Sequence, residues 1–214
     1  MNFFQLINLC LLEVNYKTEN YFENLTKPDH IKFKNFLNRV NSEICLSDNW
    51  NFRRMKADFP INANQKEYEI TFNGKIAKIF DDKTELEFNP DYTLIYLDKT
   101  NSSGYSVFND KLLISAPKNT TLTVYYYKDD CAASHEGVSK PYMEFQEDVS
   151  ILPNEFVEPL LVYGACLRFK SATSHPKYSF WTAEFLKAYR NLRSNALMTE
   201  AYKPSLRLSD RRGY

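Results

Sequence analysis

The sequence predicts an α+β protein: a helical base of about four helices, an inserted antiparallel β-sandwich or barrel-like domain, and an extended C-terminal tail. Three observations carry this. Apolar residues recur at three and four over the first fifty residues and again after Pro153. Between about residues 66 and 127 the period falls to two. After Glu200 little periodicity is left. The helical base is therefore expected over 1–58 and 150–199. The β domain is expected over 59–128, a long acidic loop over 129–149 and the tail over 200–214.

Composition bounds the answer. The chain has 214 residues, 43% of them hydrophobic, enough for one large or two small packed domains and too apolar for disorder throughout. Five glycines disfavour a Gly-rich phosphate-binding fold. Lys and Arg total 27 against 27 Asp and Glu, which weighs against a dedicated nucleic-acid binder. The 15% aromatic content points to a packing protein rather than a catalyst.

The first helix is expected from Leu6, Leu9 or Cys10, and Leu12 or Glu13. Gln5, Asn8 and Glu13 interrupt the apolar stretch, and no Lys or Arg precedes it. It is also too short and polar to span a bilayer, so an amphipathic helix is expected rather than a targeting segment. The second begins at Thr26-Lys27-Pro28-Asp29, with Thr26 as cap, Pro28 in the first turn and Asp29 at the positive helix end. Phe33, Phe36, Leu37, Val40 and Ile44 form its buried stripe. Trp50 and Phe52 follow as core anchors, expected to close the helical layer over a sheet.

Tyr68, Ile70 and Phe72 then alternate with polar residues, and Asn73-Gly74 signals a hairpin turn into a return strand from Lys75 to Phe80. Further strands are expected at Leu86 to Phe88, Tyr92 to Leu97, Tyr105 to Phe108, Leu112 to Ser115 and Thr121 to Tyr127. Residues 128–152 read as a long polar connection of a functional or mobile kind. Pro153 opens a helix bearing Phe156, Leu160, Tyr163, Gly164 and Leu167, which Pro159 either kinks or begins. After His175-Pro176 a last helix carries Trp181 (a further core anchor), Phe185, Ala188 and Leu192.

Charge is segregated despite the neutral total. Residues 129–158 hold Asp129, Asp130, Glu136, Glu144, Glu147, Asp148, Glu155 and Glu158 against Lys140. Residues 168–214 hold ten Lys or Arg against Glu184, Glu200 and Asp210. Two explanations stand: pairing within one chain, or complementarity between copies, which favours head-to-tail assembly. The acids Asp129, Asp130, Glu136, Glu144, Glu147 and Asp148 are the candidate inter-subunit or tail-facing set.

Catalytic motifs are missing: GxGxxG, GxxxxGK[ST], GxSxG and HExxH do not occur. Asp129-Asp130-Cys131…His135-Glu136 holds metal-ligand residue types at no compact zinc spacing. Asp81, Asp82, Glu85 and Glu87 read as a solvated strand face, and Tyr125-Tyr126-Tyr127 as packing residues rather than a sugar platform. Cys10, Cys45, Cys131 and Cys166 form no CxxC and suit reduced, buried thiols. No catalytic residue, metal or cofactor is expected.

The order of elements resembles the head-to-tail adaptor (connector) proteins of tailed bacteriophages. The resemblance spans roughly residues 5–195. It runs through Ile31 to Ile44 with Val40-Asn41 and Trp50-Asn51-Phe52, then Phe59-Pro60-Ile61 leading to Tyr68. It continues through Leu112-Leu113-Ile114-Ser115-Ala116-Pro117 and Leu122-Thr123-Val124-Tyr125-Tyr126. It closes with Leu152-Pro153, Leu160-Leu161-Val162-Tyr163-Gly164-Ala165, Phe185, Tyr189 and Leu192. Two departures from the family pattern are the longer, acid-rich stretch 128–152 and the elaborated β insertion at 98–111. The resemblance implies a structural virion protein, assembled in the host cytoplasm and placed in the neck. Such a protein binds the portal as a homo-oligomeric ring of twelvefold symmetry, docks tail or neck proteins and lets double-stranded DNA pass, with no membrane partner. Another neck or tail-tube ring is the nearest alternative, and a carbohydrate-binding β module one from a different class. The tail, with Tyr202, Leu206, Leu208 and Tyr214 as apolar anchors between Lys203, Arg207, Arg211 and Arg212, is the expected portal-docking element.

Overall fold

The computed structural model describes residues 1–96, 104–115, 117–169 and 175–201. It is an α+β fold with a helical base and an inserted β domain, each with its own apolar core.

Helix α1 (Phe3–Glu13) starts in a capping box. The Asn2 side chain accepts from the Gln5 N–H at 3.0 Å, and the Gln5 side chain accepts from the Asn2 N–H at 3.0 Å. Helix α2 (Pro28–Ser47) starts differently from the expectation. Pro28 is its first residue, so Lys27, held extended by the following proline, takes the cap position without a side-chain bond. Thr26 is left one residue too early to cap. The α2 stripe buries as its spacing requires, with Phe33, Leu37, Val40 and Ile44 inside and Phe36 half-buried.

The rod after Pro153 is one continuous helical stretch: α4 (Asn154–Val157), a π-helical turn (Glu158–Val162) and α5 (Tyr163–Phe169). Pro159 neither breaks nor starts it. Its ring removes one N–H and crowds the preceding turn, and the widened π turn absorbs both. Helix α6 (Tyr178–Ala201) closes the base over α5 and the rod. Gly164 sits where α2, α5 and α6 meet: a Cβ there would lie 2.8 Å from the Val40 side chain and 3.1 Å from Phe185. Trp50 and Trp181 are both fully buried in this helical core. Trp50 stacks on Phe52 at 5.9 Å, meets Tyr189 of α6 edge-on and donates its indole N–H to the Ile44 carbonyl at 2.7 Å. It thus ties the end of α2 to α6, rather than lying over a sheet as expected.

The β domain holds strands β1 (Arg54–Ile61), β2 (Glu67–Glu69), β3 (Gly74–Asp81), β4 (Thr84–Glu85) and β5 (Glu87–Phe88). A short helix α3 (Tyr92–Tyr96) precedes β6 (Gly104–Phe108), β7 (Lys111–Ile114) and β8 (Thr120–Lys128). They form two sheets, ordered β1-β8-β3-β4 and β2-β7-β6-β5, around Phe59, Ile61, Ile79, Leu112, Ile114, Leu122 and Val124. Pairing is antiparallel except between β5 and β6.

Two expectations are corrected here. Asn73-Gly74 makes no hairpin, because β2 pairs with β7 and β3 with β8, so the chain crosses between sheets at this point. Gly74 serves close approach instead: a Cβ there would sit 2.3 Å from the Tyr127 carbonyl oxygen. The expected strand from Tyr92 is helical, with Asp91 capping it by accepting from the Thr93 N–H at 3.0 Å. Leu97 lies outside the described residues.

The connection 129–149 is not a free loop. Short strands β9 (Ala132–Ala133), β10 (Ser139–Lys140) and β11 (Val149–Ser150) make a third sheet, and Asn2 bridges to Val149. Buried Asn41 of α2 donates to the Cys131 carbonyl at 2.7 Å and accepts from Ser150 at 2.6 Å. Asn38 exchanges two bonds with the Met143 backbone, at 2.7 and 2.9 Å. Arg53, 4% exposed, joins base to β domain: its guanidinium donates to the carbonyls of Cys45, Asp48 and Lys128 and pairs with Asp129 at 3.0 Å. Two of those carbonyls belong to the end of α2, so Arg53 also caps that helix.

Candidate assembly surfaces

Two exposed patches of opposite charge lie at opposite ends of α1. The first is on the connection. Asp148 creates it by turning inward: at 2% exposure it accepts from the Glu144 N–H at 2.7 Å and the Phe145 N–H at 2.8 Å, and binds the Lys140 ammonium at 3.0 Å. Burial alone would raise its pKa, but those two N–H groups and Lys140 outweigh it and hold the carboxyl below its usual range. The clamped turn leaves Val138, Tyr142 and Phe145 exposed, Phe145 at 60%, with Lys140 over the Phe145 ring at 4.4 Å. Glu136, Glu144 and Glu147 of the same connection are exposed too, Glu147 accepting from Asn2 at 2.8 Å. Isolated apolar residues on a surface mean little, whereas three exposed so close together along one connection make it a candidate contact surface.

The second patch is the outer face of α6. Phe180, Ala183, Leu186, Lys187 and Arg190 recur at three and four and are all exposed. The inner face supplies Trp181, Ala188 and Leu192 to the core. The N-terminal end of α1 reaches the acidic patch, where the Phe3 N–H donates to the Asp148 carbonyl at 2.8 Å. Its C-terminal end reaches the start of α6, where the Trp181 indole donates to Glu13 at 2.8 Å and Lys177 pairs with Glu13 at 3.2 Å. Eleven helical residues separate these ends, or about 16 Å of rise.

The basic segment does not fold onto the acidic one among the described residues. Arg168, Lys177, Lys187 and Arg193 pair with Glu43, Glu13, Glu184 and Asp48 respectively. The acids of the connection pair with Arg53 and Lys140.

The candidate acids thus separate. Glu136, Glu144 and Glu147 stay together on the surface, and Asp129 is bound to Arg53. Asp130 is half-buried near Asn73, and Asp148 is a correction, since it is spent on internal bonds and offers a partner nothing. Residues 202–214, with Tyr202, Lys203, Leu206, Arg207, Leu208, Arg211, Arg212 and Tyr214, lie outside the described residues.

Of the chemistry considered from sequence, Cys131 is buried while His135 and Glu136 are exposed. No three His, Cys, Asp or Glu side chains converge on a metal-sized site among the described residues. Glu85 and Glu87 are exposed, Glu85 pairing with Lys78 at 3.1 Å. The tyrosine run packs, as expected: Tyr127 is buried, Tyr126 stacks on Phe72 at 4.1 Å, and Tyr125 lies against Phe80 and Arg54. The four cysteines are free and buried. Burial pushes the Cys10 thiol well up, and hydrogen bonding with Cys131 together with burial does the same to Cys45. No helix among the described residues is long and apolar enough to cross a membrane.

Arg53, Asn41 and the inward role of Asp148 were missed from sequence. The signal available was weak: an Arg shortly past a helix end, and an Asn one residue after an apolar stripe position. Compared with known proteins, the chain matches no family model, and no curated protein matches it.

Proposed function

We propose that this chain is a structural protein that closes into a ring through contacts between unlike patches, as a head-to-tail adaptor of a tailed-phage neck. In this reading the ring binds the portal, extends the channel for double-stranded DNA and gives tail or neck proteins a docking surface within the virion. The observation that carries it is the pair of complementary patches. An acidic, aromatic surface meets one end of α1 and the α6 helix with its basic, apolar outer face meets the other, and their charged residues pair elsewhere among the described residues. A surface of that kind seats the α6 face of the next copy. Repeating a heterologous contact makes a ring where the rotation closes. Charged rims set register and partner choice, and the exposed aromatics supply buried area. The neutral total charge suits a channel that DNA traverses, because each neutralised phosphate adds affinity that slows passage.

The test is a charge exchange. Lys187→Glu with Arg190→Glu makes both patches acidic, and Glu144→Lys with Glu147→Lys makes the first patch basic. Each double variant alone is expected to stay monomeric by light scattering, alone or with portal present. Mixed together they are expected to assemble again as alternating copies. Unimpaired assembly of either variant alone, or no rescue on mixing, would contradict the reading.

A further inference from the structure

A recess of about 790 Å³ opens where the two sheets of the β domain part, within the size range of peptide and ligand pockets. Ile70, Phe72, Ile76, Ala77, Tyr105 and Val107 form much of its wall. Two strand edges border it. On the side away from β8, β3 is paired only at Phe80 and Asp81, by β4. On the side away from β7, β6 is paired only at Gly104 and Tyr105, by β5. Among the described residues, 74–78 and 106–108 therefore have no strand beyond them. Ser106 itself is buried and Tyr92 of α3 stacks on Phe108 at 4.0 Å, which leaves β3 at 74–78 and β6 at Val107 as the edge positions beside the apolar wall, and an unpaired strand edge of that kind is what an added extended segment requires.

The chain carries a segment of that kind. Past the end of α6 it reads Pro204-Ser205-Leu206-Arg207-Leu208-Ser209. The alternation puts Leu206 and Leu208 on one face of an extended strand and Arg207 on the other, and proline is tolerated at a strand's first position. The tail 202–214 spans up to about 43 Å when extended. Near the end of α6, Arg193 pairs with Asp48 at 3.7 Å. Asp48 lines a groove with Lys75 and Tyr127, and Lys75 also borders the recess. The helix then continues through residues 194–201, about 12 Å of further rise.

We propose that residues 204–209 of one copy add as a strand in the β-domain recess of the neighbouring copy, with Leu206 and Leu208 seated against Ile76 and Val107. The choice of a neighbour as donor rests on the ring reading, whereas the fit of segment to recess does not. It also gives the tail an acceptor within the ring, in place of the portal surface expected from sequence.

The test replaces Leu208 with the photoreactive p-benzoylphenylalanine in the full chain. This protein is mixed with ¹⁵N-labelled unmodified chain, assembled, irradiated and mapped by mass spectrometry. Crosslinks from residue 208 to residues 70–77 or 105–110 of labelled chains are expected. They are lost in Val107→Lys, a substitution at an exposed position that leaves the melting temperature unchanged. Crosslinks confined to the same chain, crosslinks to another surface, or none would overturn the proposal. Rings seen by electron microscopy together with crosslinks elsewhere would remove strand donation and leave the ring reading intact.

Discussion

At the scale of single residues, a few side chains decide how the parts meet. Gly164 lets α2, α5 and α6 approach to a distance that no side chain permits. Gly164→Ala forces Val40 and Phe185 apart, an overpacking cost of about 1–3 kcal/mol, read as a lower urea midpoint with an unchanged slope. An unchanged midpoint would mean that the three helices have slack. Asp148 acts through charge. Its folded-state pKa lies below the unfolded value of about 3.9, so the stability it contributes is full above that value. It is lost as pH falls through the folded value. Asp148→Asn keeps an acceptor for the Glu144 and Phe145 N–H groups but loses the ionic partner of Lys140. It is expected to destabilise the protein by about 1–3 kcal/mol at pH 7. The gap between variant and wild type should close as the pH drops below the usual carboxylate range. A gap independent of pH would assign the effect to packing instead.

At the scale of elements, what repeats was legible and what depends on one distant contact was not. The α2 stripe could be read because its period places Phe33, Leu37, Val40 and Ile44 on one side whatever they meet. The strands of the β domain were mostly found for the same reason, but their partners were not. Asn73-Gly74 states only which backbone angles are easy. The choice of β7 for β2 and β8 for β3 comes from burying Tyr68, Ile79 and Val124 between two sheets. The connection 129–149 looked like a loop because its order comes from Asn38, Asn41 and Asp148, each a long-range polar contact without periodicity. The segregation of acid from base could be read directly. Phe156 buries as its helical spacing requires, at 7% exposure, whereas Phe145 in the polar connection is 60% exposed. The charge exchange on α6 and the connection belongs to this scale, since it changes surface side chains and leaves both elements folded.

At the scale of the whole molecule, the helical base and the β domain play separate parts. Arg53 fixes one to the other by binding the end of α2, the last residue of β8 and Asp129 together. The base presents two unlike patches, one reached from each end of α1, and the β domain adds a recess bordered by strand edges. The measurement that bears on this most directly is electron microscopy of the protein mixed with the portal of the same particle. Class averages should show closed rings of this chain seated coaxially on the portal. A field of unattached single copies at concentrations where the portal itself is intact would contradict the account.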